Sequence, residues 1–170
     1  MIPSVLVTLI TALFVQGESQ ARRRPVGIKA DYFYIRGEIL PAGEAVLTLI
    51  MNMMDESAFR WLEAKTNQEA LDASNRIARS LGLDPEASVF MWDEILINRE
   101  YRGHGLGKKI IHIVAHQAKI SGIQAIIGQA GILDWKEQDE HSLGFWRKMG
   151  VKEVPGTQFF DDVIVYHKLG

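Results

Sequence analysis

The chain has 170 residues, of which 47% are hydrophobic and 24% charged, and its formal net charge is −2. This length suits one domain with a buried core, and the charge balance gives no global signal for nucleic-acid binding. The absence of cysteine excludes disulfides, thiolate metal sites and cysteine nucleophiles.

The first apolar run, SVLVTLITALFV at residues 4–15, follows no Lys or Arg. It therefore lacks the positive region of a signal peptide, and it is too short to cross a bilayer as a helix. We predict a buried first strand, with a cleaved signal segment as the alternative. We accordingly expect a cytoplasmic protein that is not attached to a membrane.

The segment GESQARRRPVG, residues 17–27, carries turn formers and three arginines, which predicts an exposed loop. Its arginines form a solvated hairpin tip or, alternatively, contact a phosphate or an acidic partner. The next run, GIKADYFYIRGEIL at residues 27–40, alternates as a strand does. We interpret PAG as a turn and EAVLTLIMNMM, residues 44–54, as the antiparallel partner strand.

From Asp55 onward the apolar spacing becomes helical. We predict two short amphipathic helices, with Asn67 as the N-cap of the second and Gly82 as its stop. The run VFMWDEILI, residues 89–97, is almost continuously apolar and predicts a strand covered on both faces.

Three glycines in the segment NREYRGHGLGKK directly precede a helical pattern that begins with lysines. Because the N-terminus of a helix is already positive, Lys108 and Lys109 there suggest a bound anion. Glycine allows positive φ and the close approach of a phosphate. The glycine spacing does not match the dinucleotide-binding fingerprint, because Lys108 stands where that motif has a glycine. It does not match the Walker loop either, because Arg102 stands where that motif has its first glycine. A plain turn and a site for another nucleotide are the alternatives.

The pattern R-x-x-G-x-G of Arg102, Gly105 and Gly107, preceded by ILINREY, resembles motif A of the GNAT superfamily. Members of this family transfer an acetyl group from acetyl-CoA to an amine. The segment DEHSLGFWRKMGVKEV, residues 139–154, resembles the family's following helix and its closing glycine. Between and after these motifs, GIQAIIGQAG (residues 122–131) and FFDDVIVYHKL (residues 159–169) predict strands.

The resemblance covers residues 89–169 and implies a single GNAT-like domain over residues 1–170. The fold it implies is α/β (α+β), with a central, twisted, mostly antiparallel sheet flanked by helices. In the family, loop amides wrap the CoA pyrophosphate and the preceding strand pairs with the pantetheine arm. Acetyl-CoA is thus the implied cofactor, and the implied CoA-binding residues are Leu96, Ile97, Arg102, Gly103, His104, Gly105, Leu106, Gly107, Lys108, Asp139 and Trp146.

Amine acylation needs a base, because an ammonium group has no lone pair to attack with. Glu94 resembles in position the general base of several members, and Asp93 is the weaker candidate. Strand alternation places Glu94 and Leu96 on the face opposite Ile95 and Ile97. The alternative role for Glu94 is a structural ion pair with an arginine.

Two features depart from the family pattern. The family usually places two helices between its first and second strands, whereas the helices predicted here directly precede the motif strand. Where many members have a tyrosine that protonates the leaving thiolate, this sequence has Trp146, whose indole N–H is not an acid near neutral pH. Trp146 is then a wall of the CoA channel, and Tyr166 and His141 are the alternative acids. Asp139 either contacts the CoA arm or is only the N-cap of the following helix.

We predict an N-acetyltransferase that moves an acetyl group from acetyl-CoA to an amine by direct attack in a ternary complex. The acceptor is a small molecule or a protein, and the acidic segment ILDWKEQDEH, residues 132–141, either attracts it or is a solvated loop. The alternative is a non-catalytic module that binds CoA or a partner protein. No metal site is predicted, because His112 and His116 lack a third ligand. Either a monomer or a homodimer agrees with the sequence.

Overall fold

The computed structural model describes the backbone of residues 24–29 and all of residues 33–131 and 146–170. Within these ranges six strands form one sheet in the order β1-β2-β3-β4-β6-β5. The strands are β1 (Arg24–Lys29), β2 (Phe33–Pro41), β3 (Ser88–Ile97), β4 (Ala125–Gly131), β5 (Lys152–Phe159) and β6 (Asp162–Lys168). The pair β3 and β4 is parallel and the other neighbouring pairs are antiparallel, which confirms the predicted mostly antiparallel sheet.

Helices cover both faces of this sheet. Helices α1 (Ala42–Met54), α2 (Ser57–Trp61) and α3 (Asn67–Ser80) lie between β2 and β3 in the chain, and α4 (Leu106–Ile120) joins β3 to β4. Phe90 and Trp92 of β3 pack in one buried cluster with α4, whereas Met91 packs in a second cluster with α1 and α3. The predicted α/β (α+β) architecture is therefore confirmed.

The first described strands correct two predictions. Residues 24–27 belong to β1 rather than to a loop, and residues 27–40 form two strands, paired for example at Ile28 and Ile35. Alternation continues through both strands, which is why they look like one in the sequence. The predicted strand at residues 4–15, like Arg22 and Arg23, lies outside the described residues.

The predicted strand at residues 44–54 is wrong, because these residues belong to helix α1. Their buried positions follow helical spacing, and they are Ala45, Val46, Leu49 and Ile50. The predicted PAG turn is the start of this helix, with Pro41 at its N-cap. Backbone carbonyls of Ala87 and Pro85 accept the first two helix amides, those of Ala42 and Gly43, at 3.0 Å each. A loop from before β3 therefore takes the place of a side-chain cap.

The two predicted amphipathic helices exist as α2 and α3, but the N-cap of α3 is Thr66 and not Asn67. The Glu69 amide donates to Thr66 Oγ1 at 3.1 Å, and the Lys65 amide donates to Glu69 Oε2 at 2.7 Å. Gly82, at φ 76°, ends the helix as predicted. These helices directly precede β3, as predicted.

The predicted strands of the second half are largely confirmed. β3 and β4 lie within one to three residues of their predicted bounds, whereas Phe159 belongs to β5 and not to the final strand. Residues 146–148 are helical, and Gly150, at φ 79°, follows them. The amide of Val151 donates to the Trp146 carbonyl at 3.3 Å across this glycine, which confirms Gly150 as the helix-ending residue.

Candidate functional site

The parallel strands β3 and β4 separate at their carboxyl ends. Their pairing runs from Phe90 with Ile126 to Trp92 with Gly128, yet β3 continues to Ile97 and β4 to Gly131. Beyond Trp92, β3 keeps its antiparallel partner β2, whereas no described residue forms ladder bonds with its edge toward β4. An open edge of this kind can pair with an extended ligand through backbone groups.

A β-bulge lies where the separation begins. Arg36 of β2 is paired with Glu94 and its neighbour Gly37 with Trp92, so Asp93 is the extra residue of β3. A Cβ on Gly37 would lie 2.5 Å from the Met91 carbonyl oxygen, so glycine permits the close approach of the two strands. The bulge keeps Phe90, Trp92, Ile95 and Ile97 on the face of α4, which leaves Glu94 and Leu96 on the opposite face, as predicted.

The glycine loop joins this end of β3 to helix α4. Gly103 and Gly105 have φ of 79° and 76°, and no other described residue beyond their chain neighbours has a heavy atom within 4 Å of a Cβ built on either one. Gly105 is the N-cap of α4, which has neither a capping side chain nor an acidic residue in its first turn. The first backbone amides of α4 have no acceptor within the helix, and they lie beside the exposed glycine loop. Free amides at the start of a helix are the arrangement that binds an anion.

Arg102 fixes the loop to the strand. Its Nε donates a hydrogen bond of 2.8 Å to the carbonyl oxygen of Ile97, the last residue of β3. Arg102, His104 and Lys108 are exposed, whereas Gly107 is buried within the first turn of α4. The loop that could hold an anion and the open edge of β3 therefore lie at the same end of the sheet.

A small apolar cleft lies beneath the point of strand separation. It is lined by Trp92, Gly128, Trp146, Ile126, Val151 and Val165, with Gln129 and His167 as its polar members. The rings of Trp92 and Trp146 meet edge to face, with centroids 5.7 Å apart. Among the described residues, the buried Nε1 of Trp92 has no hydrogen-bond partner. An unpartnered buried donor costs about 1–3 kcal/mol, which an acceptor atom bound there would offset.

Glu94 lies on the other face of the sheet from this cleft. Its Oε2 is 4.0 Å from Nη2 of Arg36, and the side chains of Glu94 and Arg36 are 37% and 57% exposed. An ion pair this exposed contributes roughly 0–1 kcal/mol to stability. The arginine partner considered from the sequence is therefore present, and Glu94 remains accessible to solvent.

The remaining candidates are dispersed. Trp146 is buried beside Trp92 on the α4 face, whereas Tyr166 packs against the cluster on the opposite face. Asp139 and His141 lie outside the described residues. Within the ranges described, no three His, Asp or Glu side chains are grouped to hold a metal ion, and no helix is long and apolar enough to span a membrane.

Sequence reasoning missed three residues of this site: Trp92, Gly128 and Gly37. A Cβ on Gly128 would lie 3.1 Å from the Trp92 carbonyl oxygen, so a side chain there would press on β3. The sequence signal that could have identified Gly37 and Gly128 is a glycine inside an apolar strand, because such glycines often mark a place where another backbone segment approaches closely.

Similar solved structures include three acetyltransferases. Arabidopsis thaliana NAA60, crystallised with acetyl-CoA, has a TM-score of 0.46 and 12% identity over 81% of this chain and 65% of its own. The Drosophila melanogaster polyamine N-acetyltransferase has a TM-score of 0.47 and 12% identity over 81% and 69%. A mosquito arylalkylamine N-acetyltransferase-like protein has a TM-score of 0.45 and 13% identity over 94% and 86%.

These TM-scores lie below 0.5, so the likeness by itself assigns no activity to this chain. The chain also spans less than two thirds of the NAA60 chain. No protein-family model matches the sequence, and the curated proteins give no significant match.

Proposed function

We propose that this protein is a GNAT-like N-acetyltransferase that moves an acetyl group from acetyl-CoA to an amine by direct attack in a ternary complex. One observation carries the proposal: the glycine loop at the start of α4 lies at the same end of the sheet where β3 and β4 separate. An anion site and an open strand edge, so placed, match the two chemically distinct parts of CoA, a pyrophosphate and an amide-bearing arm.

The residues present fit such a ligand. The loop at Gly103 and Gly105 offers space that a Cβ would occupy, and the first amides of α4 face no acidic side chain of their own turn. Lys108 adds positive charge at the same helix start. The backbone of Leu96 and Ile97 would pair with the arm, with the Ile97 carbonyl already accepting from Arg102. Trp146 would act as an apolar wall.

Acetyl-CoA supplies an activated acyl group, and the chain's own residues have three tasks. The loop from Arg102 to Lys108 binds and orients the donor, and the apolar cluster on the α4 face excludes water from the thioester. Glu94, on the opposite face, accepts the proton of the attacking amine directly or through a water. Donor and acceptor can thus approach from opposite faces of the gap between β3 and β4.

A second function is a module that binds CoA or a partner protein without catalysis. Two observations favour it: Trp146 stands where a proton donor is usual, and it is only 8% exposed within the core. A thiolate is nevertheless a tolerable leaving group without full protonation, since a thiol such as that of cysteine has a pKa of only about 8.5. We therefore place the enzyme first.

The test is to incubate the protein with acetyl-CoA and a panel of small primary amines, aminoglycosides and peptides, and to follow thiol release and acetylated product by mass spectrometry. The proposal predicts release that requires both the protein and one class of amine. Binding of acetyl-CoA without transfer to any acceptor would favour the non-catalytic module.

A further inference from the structure

We propose that Asp162, the first residue of β6, binds a second positive charge of the acceptor, so that the preferred acceptor is a linear diamine. This inference rests on the proposed function, because it assumes that the acceptor amine reaches Glu94 at the gap between β3 and β4. It adds the chemical class of the acceptor and a residue that selects it.

The position of Asp162 in the sheet carries the first step. Asp162 pairs with Gly131, the last residue of β4, so it lies at the end of the sheet where β3 and β4 separate. Ile164, two positions along β6, packs in the cluster with α1 and α3. Strand alternation therefore places Asp162 on that face, which is also the face of Glu94. The two carboxylates lie on one side of the sheet, with β4 between their strands.

The side chain of Asp162 is held in place by a neighbouring strand. Nε2 of Gln129, on β4, donates a hydrogen bond of 2.7 Å to Asp162 Oδ2. This amide orients the carboxylate, but it is neutral and leaves the negative charge in place. Within the described ranges, no Lys, Arg or His forms an ion pair with Asp162. The carboxylate is only partly buried, so it is a fixed anion that a cation from outside the chain can reach.

The surface between the two carboxylates suits an alkyl chain. Gly131, which faces the same side, has no side chain, and Leu96 of β3 is 50% exposed on this face. Arg36 approaches Glu94 from β2, on the side away from β6. Adjacent strands lie about 4.8 Å apart, so β3 and β6 are separated by about 10 Å or more. An amine in the gap is then one short alkyl chain away from Asp162.

The chemistry of a diamine matches this arrangement. One amine attacks the thioester carbonyl, its proton passes to Glu94, and CoA leaves as the thiolate. The other amine stays protonated as an ammonium group, which can donate to Asp162. Hydrogen bonds between charged groups are stronger than those between neutral groups. A monoamine of the same length leaves Asp162 without this partner, so the site should distinguish the two by the charge at the far end of the chain.

The experiment compares diaminobutane, which has an amine at each end, with butylamine, which has the same carbon chain and a single amine. Initial rates with acetyl-CoA give kcat/KM for each amine, and the ratio of the two values measures the preference for a second charge. The wild type is expected to favour diaminobutane by about tenfold or more, the scale of one hydrogen bond to a charged group. Asp162→Asn removes the charge and should lower this ratio by about tenfold, on the same scale.

Two further variants separate the charge of Asp162 from its surroundings. Asp161→Asn is the matched control, because Asp161 is an exposed aspartate in the turn directly before β6, and its ratio should stay near the wild-type value. Gln129→Ala keeps the charge of Asp162 but removes the donor that orients it, so the ratio should fall by a smaller factor. Because either end of diaminobutane can react, the fall of the ratio in Asp162→Asn is the decisive quantity. Thermal unfolding verifies that each variant is folded.

The outcomes separate the two proposals. The same ratio in the wild type and in folded Asp162→Asn, or an equal fall in Asp161→Asn, overturns this inference and leaves the proposed function standing. So does acetylation of other amines but of neither of these two. If Asp162→Asn does not fold, an unchanged ratio in folded Gln129→Ala overturns the inference. Failure of the wild type to acetylate any amine, by contrast, overturns the proposed function and this inference with it.

Discussion

Glu94 is the residue on which the catalytic account depends. It follows the bulge at Asp93, faces away from the α4 side and lies 4.0 Å from Arg36. Its side chain is 37% exposed, so it can be reached by an amine on the same face and can accept a proton from it. The same contact is also what a structural ion pair requires, and only substitution separates the two roles.

We expect Glu94→Gln to lower the rate of acetyl transfer by about 10²–10⁴-fold, the usual contribution of a positioned general base. Acetyl-CoA affinity and the melting temperature should change little, because the pair with Arg36 is exposed. Steady-state rates with one accepted amine, together with calorimetry and thermal unfolding, measure all three quantities.

Arg36→Gln is the matched control, since it removes the other half of the same ion pair. A base role predicts that this variant keeps most of the activity. An equal loss of rate in both variants would instead assign Glu94 to the ion pair.

At the scale of elements, the strands around the site were predictable and the first helix was not. Residues 89–97 are mostly apolar, are flanked by turn signals and are too few for a typical helix, so their pattern predicts a strand. Residues 44–54 are also a nearly continuous apolar run, and such a run shows neither period clearly. Ala45, Val46, Leu49 and Ile50 become recognisable as a helical face only once the sheet that they cover is known.

The start of α3 shows how a cap is misassigned by one residue. Thr66 and Asn67 are both good N-cap residues, so residue type alone does not choose between them. The choice depends on the residue three positions on, since Glu69 donates its amide to Thr66 and accepts the Lys65 amide. This pair resembles a capping box, except that the Glu69 carboxylate accepts the amide of Lys65, the residue before the N-cap.

Thr66→Ala is therefore expected to lower the free energy of unfolding by about 1 kcal/mol, because the Glu69 amide loses its acceptor. Asn67→Ala, one residue inside the helix, should change it by no more than about 0.5 kcal/mol. Denaturant unfolding followed by circular dichroism measures both. A larger loss in Asn67→Ala would mean that the helix starts one residue later than in the structure.

For the whole molecule, the sequence predicted the fold class and the position of the glycine loop beside the motif strand. It did not predict where β3 and β4 separate, because that depends on the pairing of Trp92 with Gly128 across 36 positions of the chain. Nor did it predict the cleft, whose walls come from β3, β4, β6 and the residues around Trp146. Features assembled from distant segments carry little local signal in a single sequence.

The central claim is that the loop from Arg102 to Lys108 binds acetyl-CoA, and calorimetry on two matched glycine variants tests it most directly. Gly105 and Gly156 have φ of 76° and 78°, and in the described part of the chain no residue other than their immediate neighbours has a heavy atom within 4 Å of a Cβ built there. Valine at either position therefore meets similar backbone strain, but only position 105 lies at the start of α4.

The account predicts that the wild type and Gly156→Val bind acetyl-CoA with a similar dissociation constant, on the order of micromolar, a standard free energy of about −8 kcal/mol. Gly105→Val, with its fold verified by circular dichroism, should lose this binding. Equal affinity in Gly105→Val and Gly156→Val, or no binding by the wild type, would contradict the account.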